Sequence, residues 1–147
     1  MSNTATVTVL LVEPHPDSRE MYTEFLCHSG LRAIAVDNAA DALARAREAQ
    51  VVVTGINLRG EVDGIALVRQ LKEDQPTMHT PVIVLSASAL LPAREHAHRA
   101  GCDLFLSKPC LPSHLLTEIL RLVTTSKTIQ KTERPGRRGA LIEPLSE

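Results

Sequence analysis

Residues 51–64 read VVVTGINLRGEVDG, and the fold turns on how the two ends of this stretch are taken. Val51 to Thr54 is a continuous apolar, β-branched run, the pattern of a strand buried on both faces. Asp63-Gly64 precedes Ile65, Val68 and Leu71, which share one face of a helix that Asp63 can cap. A strand that feeds a helix through a loop is half of a parallel crossover unit. In open parallel sheets, ligands gather at the carboxyl ends of the strands. Here that end is Gly55, a residue with no side chain.

The same alternation extends in both directions. Residues 7–12 (VTVLLV), 31–36 (LRAIAV), 81–86 (PVIVLS) and 104–107 (LFLS) read as strands. Helices are predicted over 16–29, 39–49, 64–74, from Pro92 to a stop at Gly101, and over 112–124. Pro16, Pro92 and Pro112 suit first helical positions, Asn38 suits an N-cap, and Gly30 and Gly101 suit stops. Five strands alternating with five helices imply a parallel sheet covered on both sides and doubly wound by right-handed crossovers. The expected α/β domain spans 6–124.

Composition narrows the function classes. The chain has 147 residues, 44% hydrophobic, with a formal net charge of −1. That charge gives no bulk attraction for nucleic acid. Tyr22, Phe25 and Phe105 are the only aromatics, and there is no Trp, so stacking platforms for bases or flavins are scarce. No apolar segment reaches the ~18 residues of a spanning helix, and no secretory leader is visible. No membrane association and a cytoplasmic location are expected. Cys27, Cys102 and Cys110 are odd in number and lack CxxC spacing, as reduced thiols would be. From about residue 126 the chain reads SKTIQKTERPGRRGALIEPLSE, with five basic and three acidic residues. Its lack of apolar period predicts a flexible tail over 125–147.

Four stretches at strand ends carry a family likeness: VLLVE (9–13), the opening VVVTGINLRGEVDG, VLSAS (84–88) and AGCDLFLSKP (100–109). Over 6–124 the chain resembles the receiver domain of two-component response regulators. The resemblance implies a flavodoxin-like sheet of order 2-1-3-4-5 flanked by five helices. It also implies an acidic pair that holds Mg²⁺, an Asp that accepts phosphate after strand three, a Ser or Thr after strand four, and a Lys-Pro pair after strand five. Glu13 matches the first acidic position, but Pro14 stands at the second. Gly55 stands at the phosphoacceptor. Asn57 would offer a main-chain carbonyl to a metal, Ser86 and Lys108 match the phosphate-contact positions, and Phe105 matches the switch aromatic.

These departures set the functional expectation. Glycine cannot be phosphorylated, and one carboxylate of three is poor provision for Mg²⁺, so neither a metal nor another cofactor is expected. Lys108 is left either to pair with Glu13 or to lie in water. Gly55 either serves a close backbone approach or marks a lost side chain. Ser86, Lys108 and loop amides could form a weak anion site. Asp17 and Asp63 are the candidate substitute acids, and Asp63 also suits a helix cap. The histidines have no metal-ligand spacing.

The expected function is a signalling module of a two-component or phosphorelay system, not an enzyme, that binds protein partners through residues 92–123. The alternative is a phosphoaccepting receiver that uses a substitute acid, or an acceptor-site variant of a normal response regulator. A small flavin enzyme is a third reading, opposed by EPHPDSRE after strand one, where a phosphate-binding loop would be needed. The residues do not decide between monomer and dimer.

Overall fold

Successive side chains alternate across a strand, so the inner strands of a sheet covered on both faces must be apolar at nearly every position. β1 (Thr8–Val12), β3 (Val51–Thr54) and β4 (Val82–Ser86) are buried throughout. β2 (Arg32–Val36) and β5 (Leu104–Ser107) are partly exposed, as befits edges. The computed structural model describes residues 6–88 and 90–132. Its strands form one parallel sheet in the order β2-β1-β3-β4-β5.

Two apolar layers follow from the alternation. Leu10, Val12, Val52 and Val84 face α2 (Ala39–Arg45), α3 (Gly64–Glu73) and α4 (Leu91–Ala100), meeting Ala42, Leu67, Leu71 and Ala97. Val9, Leu11, Val53, Ile83 and Leu85 face α1 (Pro16–His28) and α5 (Pro112–Thr132), meeting Tyr22, Leu26, Leu115 and Ile119. Asn38 caps α2 by accepting from the Asp41 amide, and Asp63 caps α3 by accepting from the Ala66 amide. Among the described residues, no helix is long and apolar enough to cross a membrane.

Two element ends differ from the sequence expectation. The helix predicted over 39–49 stops at Arg45 and continues as a 3₁₀ turn over Ala46–Glu48. A 3₁₀ turn rises about 2.0 Å per residue against about 1.5 Å in an α-helix, so it stretches a short connection to reach β3. The last helix runs to Thr132, eight residues past the expected 124. After Pro112 the next Gly or Pro is Pro135, so no breaker stops the helix where its apolar face ends. The expected tail thus begins inside a helix, and 133–147 lie outside the described residues.

The glycine that serves close packing is not Gly55. A Cβ at Gly55 would meet the Leu85 carbonyl oxygen at 3.7 Å and Pro14 Cδ at 3.8 Å, ordinary contacts. A Cβ at Gly64 would lie 1.8 Å from the Gly55 carbonyl oxygen, while the Gly64 amide donates to Ile56 at 2.7 Å. Gly64 therefore lets α3 begin directly against the end of β3. Gly64→Ala is expected to lose about 3 kcal/mol through overpacking. Gly55→Ala should stay within about 1 kcal/mol of the parent, because alanine narrows the unfolded ensemble. Urea unfolding of the two variants checks the contrast.

Tyr22 reports on the second layer. It is 3% exposed, and its hydroxyl donates to the Cys110 carbonyl at 2.7 Å. Burial, with smaller repulsions from Cys110 and Glu13, pushes its pKa up to about 12. A phenol whose folded pKa is raised adds stability that is complete below its unfolded pKa of about 10 and lost as pH climbs through the folded value. As the only tyrosine, in a chain without Trp, it can be titrated by ultraviolet absorbance. Tyrosinate should form near pH 12 in the native protein and near pH ~10 in urea.

Candidate functional site

Six of the residues singled out by sequence (Glu13, Pro14, Gly55, Asn57, Ser86 and Lys108) line one cleft of about 260 Å³. The parallel topology explains the meeting, since each lies at or just past the carboxyl end of β1, β3, β4 or β5 and all four ends point the same way. Phe105 is not among the lining residues. It is 6% exposed within the layer under α4, and the Arg94 guanidinium lies 4.8 Å from its ring centre. Arg94 also donates to Ser107 Oγ at 3.2 Å. A cation over an aromatic face adds roughly 0.5–1 kcal/mol at an exposed site.

Glu13 sets the electrostatics. It is only 2% exposed, and its Oε1 accepts from Lys108 Nζ at 2.7 Å. Its Oε2 accepts from the His15 amide at 3.0 Å, so both carboxylate oxygens are engaged. Arg19 donates to the carbonyls of Glu13 at 2.9 Å and Pro14 at 3.4 Å. One carboxylate thus stands with two cations, where the family pattern has a cluster of acids.

Sequence reasoning missed Arg19. A cation in the first turn of α1 opposes the helix dipole, and that mismatch could have flagged a separate partner. Ser86 Oγ accepts from the Ser88 amide at 3.0 Å, and the Ser86 carbonyl accepts from the Lys108 amide at 2.9 Å. The Ser86 hydroxyl thus fills the strand-end role, bonded to local backbone. The Asn57 residue is exposed at the cleft. Asp63 is occupied as the α3 cap, and Asp17 lines a different groove, on the outer face of α1.

Two thiols lie beside imidazoles, and one of those imidazoles, His114, also has its Nε2 3.6 Å from Glu118 Oε2. Cys102 Sγ lies 4.0 Å from His98 Nδ1, and Cys110 Sγ lies 4.0 Å from His114 Nδ1. Among the described residues there is no group of three His, Cys, Asp or Glu that could hold a metal. Burial pushes the Cys102 thiol up to about 11 and raises Cys110 as well. Cys27 is exposed.

Comparison with known proteins points to one family. The sequence model of the response regulator receiver domain matches residues 9–120. The polar-differentiation response regulator DivK of Brucella anthropi is 31% identical over 104 residues, covering 69% of this chain and 84% of its own length. DivK of Brucella ovis is 30% identical over 106 residues, covering 71% of this chain and 85% of its own. A CheY-like receiver domain protein from Methanospirillum hungatei superposes with a TM-score of 0.77 at 19% identity, over 85% of this chain and 99% of that one; it speaks for the fold alone. The receiver domain of the sensor histidine kinase PA1611 from Pseudomonas aeruginosa, solved with magnesium in its active site cleft, superposes at 0.75 with 25% identity, over 82% and 99%.

The Glu13–Lys108 pair gives a direct test. Lys108→Met strands a buried carboxylate and is expected to lose about 3 kcal/mol. Adding Glu13→Gln should recover most of that loss, since the charge that needed a partner is then gone. A double-mutant cycle by denaturant unfolding reads the coupling.

Proposed function

The chain belongs to the response regulator receiver domain family, and on that footing we propose that it is a pseudo-receiver, a two-component signalling domain that works without phosphorylation or Mg²⁺. Receiver domains act by interacting with other proteins in signalling. The observation that carries the proposal is the closed Glu13–Lys108 pair above Gly55. No carboxylate stands at residue 55 to attack a phosphodonor, and the lysine that would meet phosphoryl oxygens is held by Glu13 at 2.7 Å.

The donor set does not fit Mg²⁺. The ion takes octahedral oxygen ligands and usually binds through one or two carboxylates. Glu13 has both oxygens engaged by protein N–H groups. Pro14 and Gly55 offer no side-chain oxygen, and Asn57 adds at most a carbonyl. The Arg19 guanidinium already occupies the Glu13 and Pro14 carbonyls. Protein N–H groups and cations thus take up the oxygens that Mg²⁺ would need.

Output through residues 92–123 follows from the same reading. This stretch covers most of α4, all of β5 and the first part of α5, with Leu111 and Leu120 exposed; Leu90 and Leu91 adjoin it. Leu90, Leu111 and Leu91 are the most exposed large apolar side chains among the described residues, which is what supports a protein contact on this side.

Incubation with Mg²⁺ and a small-molecule phosphodonor is expected to leave the mass of the protein unchanged. Beryllofluoride with Mg²⁺ is expected to leave the amides of Glu13, Gly55, Ser86 and Lys108 unshifted. Pro14→Asp/Gly55→Asp restores two carboxylates in space that a Cβ at 55 already fits, and it should gain a phosphoryl adduct under the same conditions. A covalent phosphate on the parent protein, at Asp17, Asp63 or elsewhere, would overturn the proposal.

A further inference from the structure

The cleft at the carboxyl edge of the sheet has more hydrogen-bond donors than it uses. Among the described residues Glu13 is the one acid that lines it, and both Glu13 oxygens are taken, by Lys108 and by the His15 amide. Arg19, bonded to the carbonyls of Glu13 and Pro14, is a second cation beside that single carboxylate. Lys108 carries three N–H donors, of which Glu13 takes one. The buried Ser86 hydroxyl accepts from the Ser88 amide, which leaves its O–H to give. Surplus donors and surplus positive charge call for an anionic acceptor.

Gly55 leaves room for one. A Cβ at this position would make only ordinary contacts, so the protein leaves side-chain space at this point of the cleft. The surroundings are apolar. Ala87 and Ser88 line the cleft after β4, and Lys108 lines it after β5. The same two connections run on to the exposed Leu90, Leu91 and Leu111. Both leave one edge of a parallel sheet, so leucines and cleft share a side of the molecule.

We propose that the cleft takes a carboxylate from a partner protein, an Asp or Glu set between apolar residues, which enters over Gly55 to bond Lys108 and Ser86 while its flanks rest on Leu90, Leu91 and Leu111. A small free anion would gain the donors and nothing from the leucines, and a single partly exposed ion pair is worth little. A carboxylate carried on an apolar segment gains both, which favours a protein partner over a free ion. This deepens the pseudo-receiver reading and rests on it: the partner supplies the carboxylate that residue 55 lacks.

The test uses the full ¹⁵N-labelled chain without Mg²⁺ or phosphodonor. It is titrated with the capped peptide Ala-Leu-Asp-Leu-Ala, its Asn counterpart and inorganic phosphate at matched ionic strength. The Asp peptide is expected to shift the Gly55, Ser86, Ser88 and Lys108 amides to saturation. The Asn peptide should bind about tenfold more weakly, having lost a charge-assisted bond. Gly55→Asp fills the cleft with a carboxylate of the chain itself, and Glu13→Gln/Lys108→Met removes the cation without stranding a buried charge. Both changes should abolish the shifts at Ser86 and Ser88. Equal binding of the Asn peptide, or shifts that survive Gly55→Asp, would overturn the proposal and assign the contact to the leucines alone. Tighter binding of phosphate than of the Asp peptide would overturn it in favour of a free oxyanion. No shift with any probe also overturns it and leaves the pseudo-receiver reading standing, since that reading fails on a phosphoryl adduct.

Discussion

A carboxylate almost sealed from water must be neutralised, and at Glu13 that need organises the whole carboxyl edge of the sheet. The pair it makes joins the end of β1 to the end of β5, strands separated in the sheet by β3 and β4. Strand spacing of about 4.8 Å puts those two strands roughly 14 Å apart, so the reach of a lysine and the inward lean of both loops are needed to close it. The contact passes over the ends of β3 and β4, where Gly55 and Ser86 stand. Glycine at 55 and the pair are therefore linked: with no carboxylate beneath it, Lys108 has Glu13 as its acidic partner.

Much of the fold was legible because local signals agreed with one another. Alternating apolar residues in β1 specified both layers at once, and Asn38 and Asp63 cap the helices they precede. The end of α5 was not legible, since the loss of apolar period at 126 marks where packing on the sheet stops and not where helical hydrogen bonding stops. Gly64 was hidden for a different reason. Its constraint is the Gly55 carbonyl, a group nine residues earlier that reaches it only through the folding of the loop. Sequence therefore drew attention to Gly55, the glycine that the resemblance sets at the acceptor position, while the backbone depends on the other.

The site was legible as a set of positions and less so as an electrostatic arrangement. Strand ends brought Glu13, Pro14, Gly55, Asn57, Ser86 and Lys108 to one cleft because a parallel sheet leaves them no other place. The role of Arg19 depends on the loop carbonyls of Glu13 and Pro14, and main-chain groups have no sequence signature. The result differs from a simple subtraction of acids. The cleft keeps one carboxylate, and protein cations and amides take up the oxygens around it.

Phe105 extends this argument to the face of α4. Its ring is held by burial in the apolar layer and by Arg94, whose other contact is Ser107 at the end of β5. Lys108 follows Ser107, and its amide bonds Ser86 while its ammonium bonds Glu13. Cleft and α4 surface are thus joined through two adjacent residues of one strand end. Both ends of the joint are held by protein groups, with Glu13 on the Lys108 ammonium and Arg94 over the aromatic ring. The cleft and the α4 face therefore share one stretch of backbone, and Ser107 and Lys108 tie each of them to the end of β5.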